Sequence, residues 1–220
     1  MKRIFTVLII LLFGSTVMFS QSFKVGVGGG LTFITAPEIM TNDISNDGLG
    51  FGAEYHFNAK AKFSLPVLPL AIIGEVYYTS LAGEEEYMLP VYYGGTLYNV
   101  NMKAETDASI LTFGVGAQYS LIPGPISPYV SASILFNSIS ELKVKATASY
   151  QGVTNSEEET YGEKISRTGL GLGAGLNISI LPVIDLDVSL RYNIVNMLGK
   201  EDGEDTISMV NANVTVFFAL

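Results

Sequence analysis

The only histidine, His56, stands between Glu54 and Asn58 at spacings of two, so an extended backbone would put all three on one face. A Ser-His-Asp or Ser-His-Glu arrangement in this chain would have to use His56. Two acidic runs, Asp43-Ile44-Ser45-Asn46-Asp47 and Glu201-Asp202-Gly203-Glu204-Asp205, gather oxygens of the kind calcium takes, but neither has EF-hand spacing. They read as solvated loops. The GxG runs Gly26-Val27-Gly28, Gly114-Val115-Gly116 and Gly169 to Gly175 look like phosphate cradles, yet no helix follows any of them. No catalytic, metal-ligating or cofactor-binding set is therefore expected.

The residues around His56 belong to a longer pattern. From Leu49 to Leu65 every odd position is apolar and every even one is Gly or polar, including Glu54, His56, Lys60 and Lys62. A strand of this kind presents two incompatible faces. The alternation recurs along the chain without a separate core to receive the apolar face. A closed sheet in a membrane accommodates it, with the apolar face to lipid, the polar face to a narrow interior and every backbone hydrogen bond internal.

Composition agrees. Charged residues make up only 15%, Gly numbers 23, Tyr and Phe 12 each, and mean hydropathy is +0.37. The basic start Lys2-Arg3, the apolar run Ile4 to Phe13 and the small residues Gly14, Ser15 and Ser20 read as a signal peptide over 1–21, leaving one domain over 22–220. Without cysteine there is neither a disulfide nor an acceptor for a lipid anchor. Loss of Lys2 and Arg3 takes the net charge from −9 to about −11, which argues against nucleic acid as a partner.

Eight strands are predicted: Phe23 to Phe33, Leu49 to Leu65, Leu70 to Thr79, Ile110 to Leu121, Tyr129 to Asn137, Thr168 to Ile180, Ile184 to Val195 and Ile207 to Leu220. The fold class expected is an all-β, eight-stranded, antiparallel up-and-down transmembrane barrel. Its connections alternate between short, proline-marked turns (66–69, 122–127, 181–183) and four long polar loops (34–48, 80–109, 138–167, 196–206). All acidic residues fall in the long loops except Glu54, Glu75, Asp185 and Asp187, which share the inward parity with Lys24, Lys60, Lys62 and Arg191. A Lys or Arg on the lipid face near midplane would cost ~2–4 kcal/mol. A luminal polar network of Glu54, His56, Lys60, Glu75, Asp187 and Arg191 is the expected result.

With its signal sequence, GxG strands, Pro128-Tyr129-Val130 and an alternating final strand, the chain resembles the small OmpA/OmpX-type outer-membrane barrels. The resemblance implies the outer membrane of a Gram-negative-type bacterium, periplasmic termini and long loops outside the cell. It also implies outer-membrane lipids and the barrel-assembly machinery as partners, the latter reading a terminal strand that here ends Phe218-Ala219-Leu220. The function expected is structural or surface-interacting: adhesion, envelope integrity or protection, exerted through the loops. A narrow porin-like channel is the alternative, and a lipid-modifying enzyme a further one. The luminal position of His56 would put a lipid out of its reach.

Three geometric expectations follow from the frames. If Leu65 faces Leu70, residue numbers sum to 135 and Lys60 lies opposite Glu75, where an ion pair is predicted. Phe23, Phe63, Tyr119 and Phe218 form an outward aromatic girdle at the short-turn rim. Gly94-Gly95 turns a tall hairpin with numbers summing to 189, and its edge offers a surface partner a strand to pair with.

Overall fold

The computed structural model describes residues 23–65 and 68–220. The signal segment, Pro66 and Val67 lie outside the described residues. The chain forms β1 (Phe23–Ala36), a helical turn α1 (Glu38–Thr41), a 3-10 turn (Ile44–Asn46), β2 (Ala53–Ser64), β3 (Leu70–Tyr93), β4 (Thr96–Ser120) and β5 (Ile126–Ile139). It continues through β6 (Leu142–Tyr150), β7 (Val153–Tyr161), β8 (Ile165–Leu181), β9 (Ile184–Leu198) and β10 (Ser208–Ala219). Among the described residues no helix is long and apolar enough to cross a membrane.

The sheet order is β3-β2-β1-β10-β9-β8-β5-β4-β6-β7, and β3 also pairs with β4. Those strands except β6 and β7 therefore close a ring of eight, all pairs antiparallel. Closure leaves no unpaired edge along the ring, which is what hydrocarbon demands of a spanning sheet. One end of the ring carries the short turns and both ends of the described chain, since Lys24 pairs with Ala219. We call it the turn end, and the opposite one the tall end.

Parity is as the alternation requires. On β2, Tyr55 and Phe57 are 71% and 72% exposed, whereas His56 between them is 1% exposed. Phe23, Tyr119 and Phe218 are exposed on the outer face near the turn end, and Phe63 lies opposite Phe23 in the ladder. Across β2 and β3 the register is Ser64↔Ala71 and Lys60↔Glu75, and Leu65 N–H donates to the Leu70 carbonyl at 2.9 Å.

β3 and β4 form one unbroken ladder from Leu70↔Tyr119 to Tyr93↔Thr96, with Glu75↔Gly114, Thr79↔Ile110 and Glu86↔Lys103 along it. Gly94 and Gly95 have φ of 58° and 81°, the left-handed pair a two-residue hairpin turn needs. The hairpin rises well beyond β2, whose pairing with β3 ends at His56↔Thr79.

Two expectations are corrected. The 138–167 segment is not a loop: β5 runs to Ile139, and 142–161 is a second hairpin, β6–β7, pairing with β4 from Asn101↔Ser149 to Asp107↔Lys143. Leu142, Val144, Ala146, Ala148 and Tyr150 already alternate in the sequence, and Gln151-Gly152, with φ of 48° and 84°, makes the turn. The flanking acidic residues mask that alternation. Secondly, β2 starts at Ala53, and Leu49 and Phe51 do not continue its outward face. Gly50, at φ 69°, turns the chain, and Phe51, 2% exposed, is carried into the barrel mouth beside Gly83.

Candidate functional site

The lumen and the tall end are the places where polar chemistry gathers. Inward glycines make the lumen possible: a Cβ on Gly114 would stand 2.7 Å from Glu75 Cγ, and one on Gly171 2.3 Å from Arg191 Nη2. In the room so provided, Arg191 Nη1 pairs with Glu75 Oε2, and Tyr77 donates its hydroxyl to the same oxygen at 3.1 Å. Lys60 Nζ lies 3.5 Å from Asp187. The cross-strand neighbours Lys60 and Glu75 thus point into one lumen but form no ion pair with each other. Each reaches across to β9, because in so narrow a barrel the opposite wall offers a cation and a carboxylate at side-chain length.

His56 sits above this layer. Its Nδ1 is 2.9 Å from the Thr32 hydroxyl and its Nε2 2.6 Å from Asn213 Oδ1. Neither nitrogen meets a carboxylate. Glu54, the sequence neighbour that might have oriented it, accepts instead from the backbone N–H groups of Gly52 at 3.0 Å and Ala82 at 3.2 Å. Asn58 accepts from Thr215. Toward the turn end Lys24 pairs with Asp185, and Lys62 donates to Asn177 at 3.3 Å. All six residues of the expected network therefore point inward, yet Glu54 and His56 stand apart from the charged cluster. The space left among Lys60, Glu75, Gln118, Tyr129, Asp187 and Arg191 is about 20 Å³, room for roughly one water molecule.

An apolar plug, absent from the sequence reading, closes the tall end of the lumen. Ile34, Leu81, Ile110, Val195 and Met209 continue the inward parity of their strands, and Met40 and Phe51 insert between them from the 37–52 segment. That segment is held down by Leu49 N–H to the Ile39 carbonyl and Phe51 N–H to the Met40 carbonyl, at 2.8 and 2.9 Å, and by Thr106 Oγ1 donating to the Leu49 carbonyl at 2.5 Å. Outside, Ser45 donates through its N–H and hydroxyl to Glu85 at 2.7 and 2.6 Å, which keeps that carboxyl below its ordinary range. The signal was present as the inward parity of Ile110, Val195 and Met209 at the ends of their predicted strands, and of Leu81 just beyond the predicted end of its own.

The acidic run after β9 is likewise organised by protein groups. Arg167 Nε reaches both oxygens of Glu204 at 3.1 and 3.0 Å, its Nη2 reaches Glu201 at 3.2 Å, and Asn196 Nδ2 donates to Glu204 at 2.7 Å. The guanidinium, aided by Asn196, holds the Glu204 carboxyl down at about 2. Among the described residues no three His, Asp or Glu side chains are grouped to hold a metal ion. Because the folded value lies below the ordinary 4.5, the contribution of this clamp is complete above pH 4.5 and falls away as the pH drops toward 2. NMR order parameters for 199–206 in nanodiscs should therefore fall on acidification across that window. Glu204→Gln should lower them already at pH 7, and an order parameter unchanged by either would contradict the clamp.

Above the plug, β3, β4, β6 and β7 stand as a free four-stranded sheet. One face carries the ion pairs: Lys103 is 3.0 Å from both Glu84 and Glu105, and Lys145 is 3.4 Å from Glu105. The two lysines hold the Glu105 carboxyl low. The other face continues the luminal parity through Tyr87, Leu89, Val91, Val100, Met102, Val144 and Tyr150. Of these, Leu89 and Val91 are exposed.

A closed ring of eight strands with an apolar outer wall and a filled polar interior is a small membrane-spanning β-barrel. The chain belongs to the outer membrane protein beta-barrel domain family, whose model matches residues 5–218. Membership locates it in a bacterial outer membrane. Among solved structures, Neisserial surface protein A is 17% identical, with 90% of this chain and 97% of that one covered and a TM-score of 0.53. Ail, the attachment invasion locus protein of Yersinia pestis, is 14% identical over 89% of this chain and 97% of its own, with a TM-score of 0.43. The N-terminal β-barrel domain of Pseudomonas aeruginosa OprF is 15% identical, covering 90% and 98%, with a TM-score of 0.40. At 17% identity the likeness to Neisserial surface protein A is one of fold alone. No match was found among curated protein sequences.

Proposed function

We propose that the barrel is an inert anchor and that the four-stranded sheet at the tall end is the working part of a non-catalytic surface protein. In this reading the termini and short turns face the periplasm, outer-membrane lipids surround the wall, the barrel-assembly machinery inserts it, and the sheet stands outside the cell to contact a surface partner. The observation that carries it is the contrast between the two halves. The lumen is filled by side chains and plugged by Met40 and Phe51, whereas the sheet beyond Glu85 leaves Met88, Leu89, Val91 and Tyr92 exposed on both of its faces. A polar interior with room for about one water gives little support to the channel alternative. His56, held by Thr32 and Asn213 inside the barrel, gives as little to lipid chemistry.

The test shortens the sheet and spares the ring. Gly83 and Thr106 are ladder partners, as are Ile139 and Ile165. Replacing 84–105 and 140–164 each by an Asn-Gly turn should leave a barrel that still shifts mobility on heating in a denaturing gel. Cells displaying it should lose most of the adherence to protein-coated surfaces that the full chain confers. Undiminished adherence would overturn the reading, and so would stable unitary currents from the full chain in planar bilayers.

A further inference from the structure

The free sheet ends in two open edges, β3 above Glu84 and β7 along its whole length, and the two differ chemically. On β3, Glu84 is neutralised by Lys103 and Glu85 is occupied by Ser45, so that of its three consecutive carboxylates Glu86 alone stands, among the described residues, without a partner of that kind. On β7, all nine residues from Val153 to Tyr161 are exposed, and Glu157, Glu158 and Glu159 follow one another. Among the described residues no ammonium or guanidinium lies within 4.0 Å of those three carboxylates. Lys145, the register partner of Glu158, instead turns away to Glu105 at 3.4 Å, and Glu159 is engaged only by the hydroxyl of Tyr161.

We propose that the outer edge of β7 is a strand-addition site for an extended, basic segment of a partner protein. The inference rests on the surface-interaction reading above and names its partner. β7 is the last strand of the sheet order, so the backbone groups on its outer side have no strand to pair with, and an incoming strand would satisfy them. Three consecutive carboxylates project alternately to both faces, so the matching segment carries consecutive Lys or Arg residues opposite them. Val153 and Tyr161, 66% and 51% exposed, bracket the triplet and favour apolar or β-branched residues on either side of the basic run. The same charges exclude a second copy of this edge. An antiparallel pairing of β7 with itself centred on Glu158 would bring six carboxylates together, and like charges directly opposite destabilise a ladder.

The test uses the full chain in lipid nanodiscs and a labelled peptide of alternating valine and threonine with a central lysine triplet. Amides of 153–161 should gain exchange protection on binding while those of 84–93 do not. Changing Glu157, Glu158 and Glu159 together to lysine should weaken binding at least tenfold. A peptide of the same charge whose backbone is N-methylated at alternate residues, and which cannot add as a strand, should lose binding to a similar extent. Equal binding of the methylated peptide, equal binding to the charge-reversed edge, or protection appearing elsewhere would overturn the proposal. In the adherence assay, loss with the shortened sheet but full retention with the charge-reversed edge would reject the edge and leave the surface role standing. Retention with both would reject the surface role itself.

Discussion

Arg191→Met should destabilise the barrel more than any other single loss of a luminal charge. Arg191 and Glu75 are both 5% exposed, and their pair sits where water cannot take over. Removing one partner of such a pair costs about 3–5 kcal/mol, because the carboxylate left behind is buried and uncompensated. Glu75 would keep the Tyr77 hydroxyl as a donor and, farther off, the charge of Lys60. Arg191→Met with Glu75→Leu should recover much of that loss, since two apolar groups of similar volume leave no buried charge unpaired and only the Tyr77 hydroxyl without its acceptor. Lys60→Met should cost less than Arg191→Met. Its contact with Asp187 is long, at 3.5 Å, and its side chain is 10% exposed against 5% for that of Arg191. Coupling in a double-mutant cycle should be strong for Arg191 with Glu75, moderate for Lys60 with Asp187, and weak for Lys60 with Glu75. Urea refolding titrations in lipid vesicles measure all of these. A Lys60–Glu75 coupling as large as that of Arg191–Glu75 would contradict the geometry.

Gly30→Val should prevent closure of the ring, whereas Gly74→Val should be harmless. Gly30 faces the lumen on β1, where an added Cβ would stand 1.8 Å from the backbone carbonyl oxygen of Ala212 on β10. No side-chain rotation relieves that collision; the two strands that join the ends of the chain would have to separate. Overpacking that a core can absorb costs about 1–3 kcal/mol, and a clash with backbone at the seam should exceed it. Gly74 faces outward on β3, where a Cβ meets nothing within 4 Å. Valine there favours the strand and fills lipid-facing space, so the effect should lie within about 0.5 kcal/mol of zero. The fraction of heat-modifiable barrel recovered on refolding separates the two variants, and similar yields would refute the account of the seam.

Much of this architecture is legible one residue at a time. A period of two has only two phases, and the cost of a charge in hydrocarbon selects between them, so the inward positions of Lys60, Glu75, Asp187 and Arg191 follow from local alternation alone. A two-residue turn propagates its register without error along an uninterrupted ladder. Gly94-Gly95 thereby sets Glu75 opposite Gly114, nineteen residues below the turn on one strand. What alternation cannot supply is information across the lumen. Which cation Glu75 takes depends on how closely β3 and β9 approach through the closed ring, and two strands more than a hundred residues apart carry no shared local signal. For the same reason Lys60 turns to Asp187 rather than to its ladder neighbour. The plug belongs with these. Met40 reaches the mouth on the helical turn after β1 and Phe51 through the turn at Gly50, and only the closed barrel presents the apolar ring of Leu81, Ile110, Val195 and Met209 that receives them. The β6–β7 hairpin is an intermediate case: its alternation lies in the sequence, but its place beside β4, and with it the open acidic edge of β7, was decided by tertiary pairing.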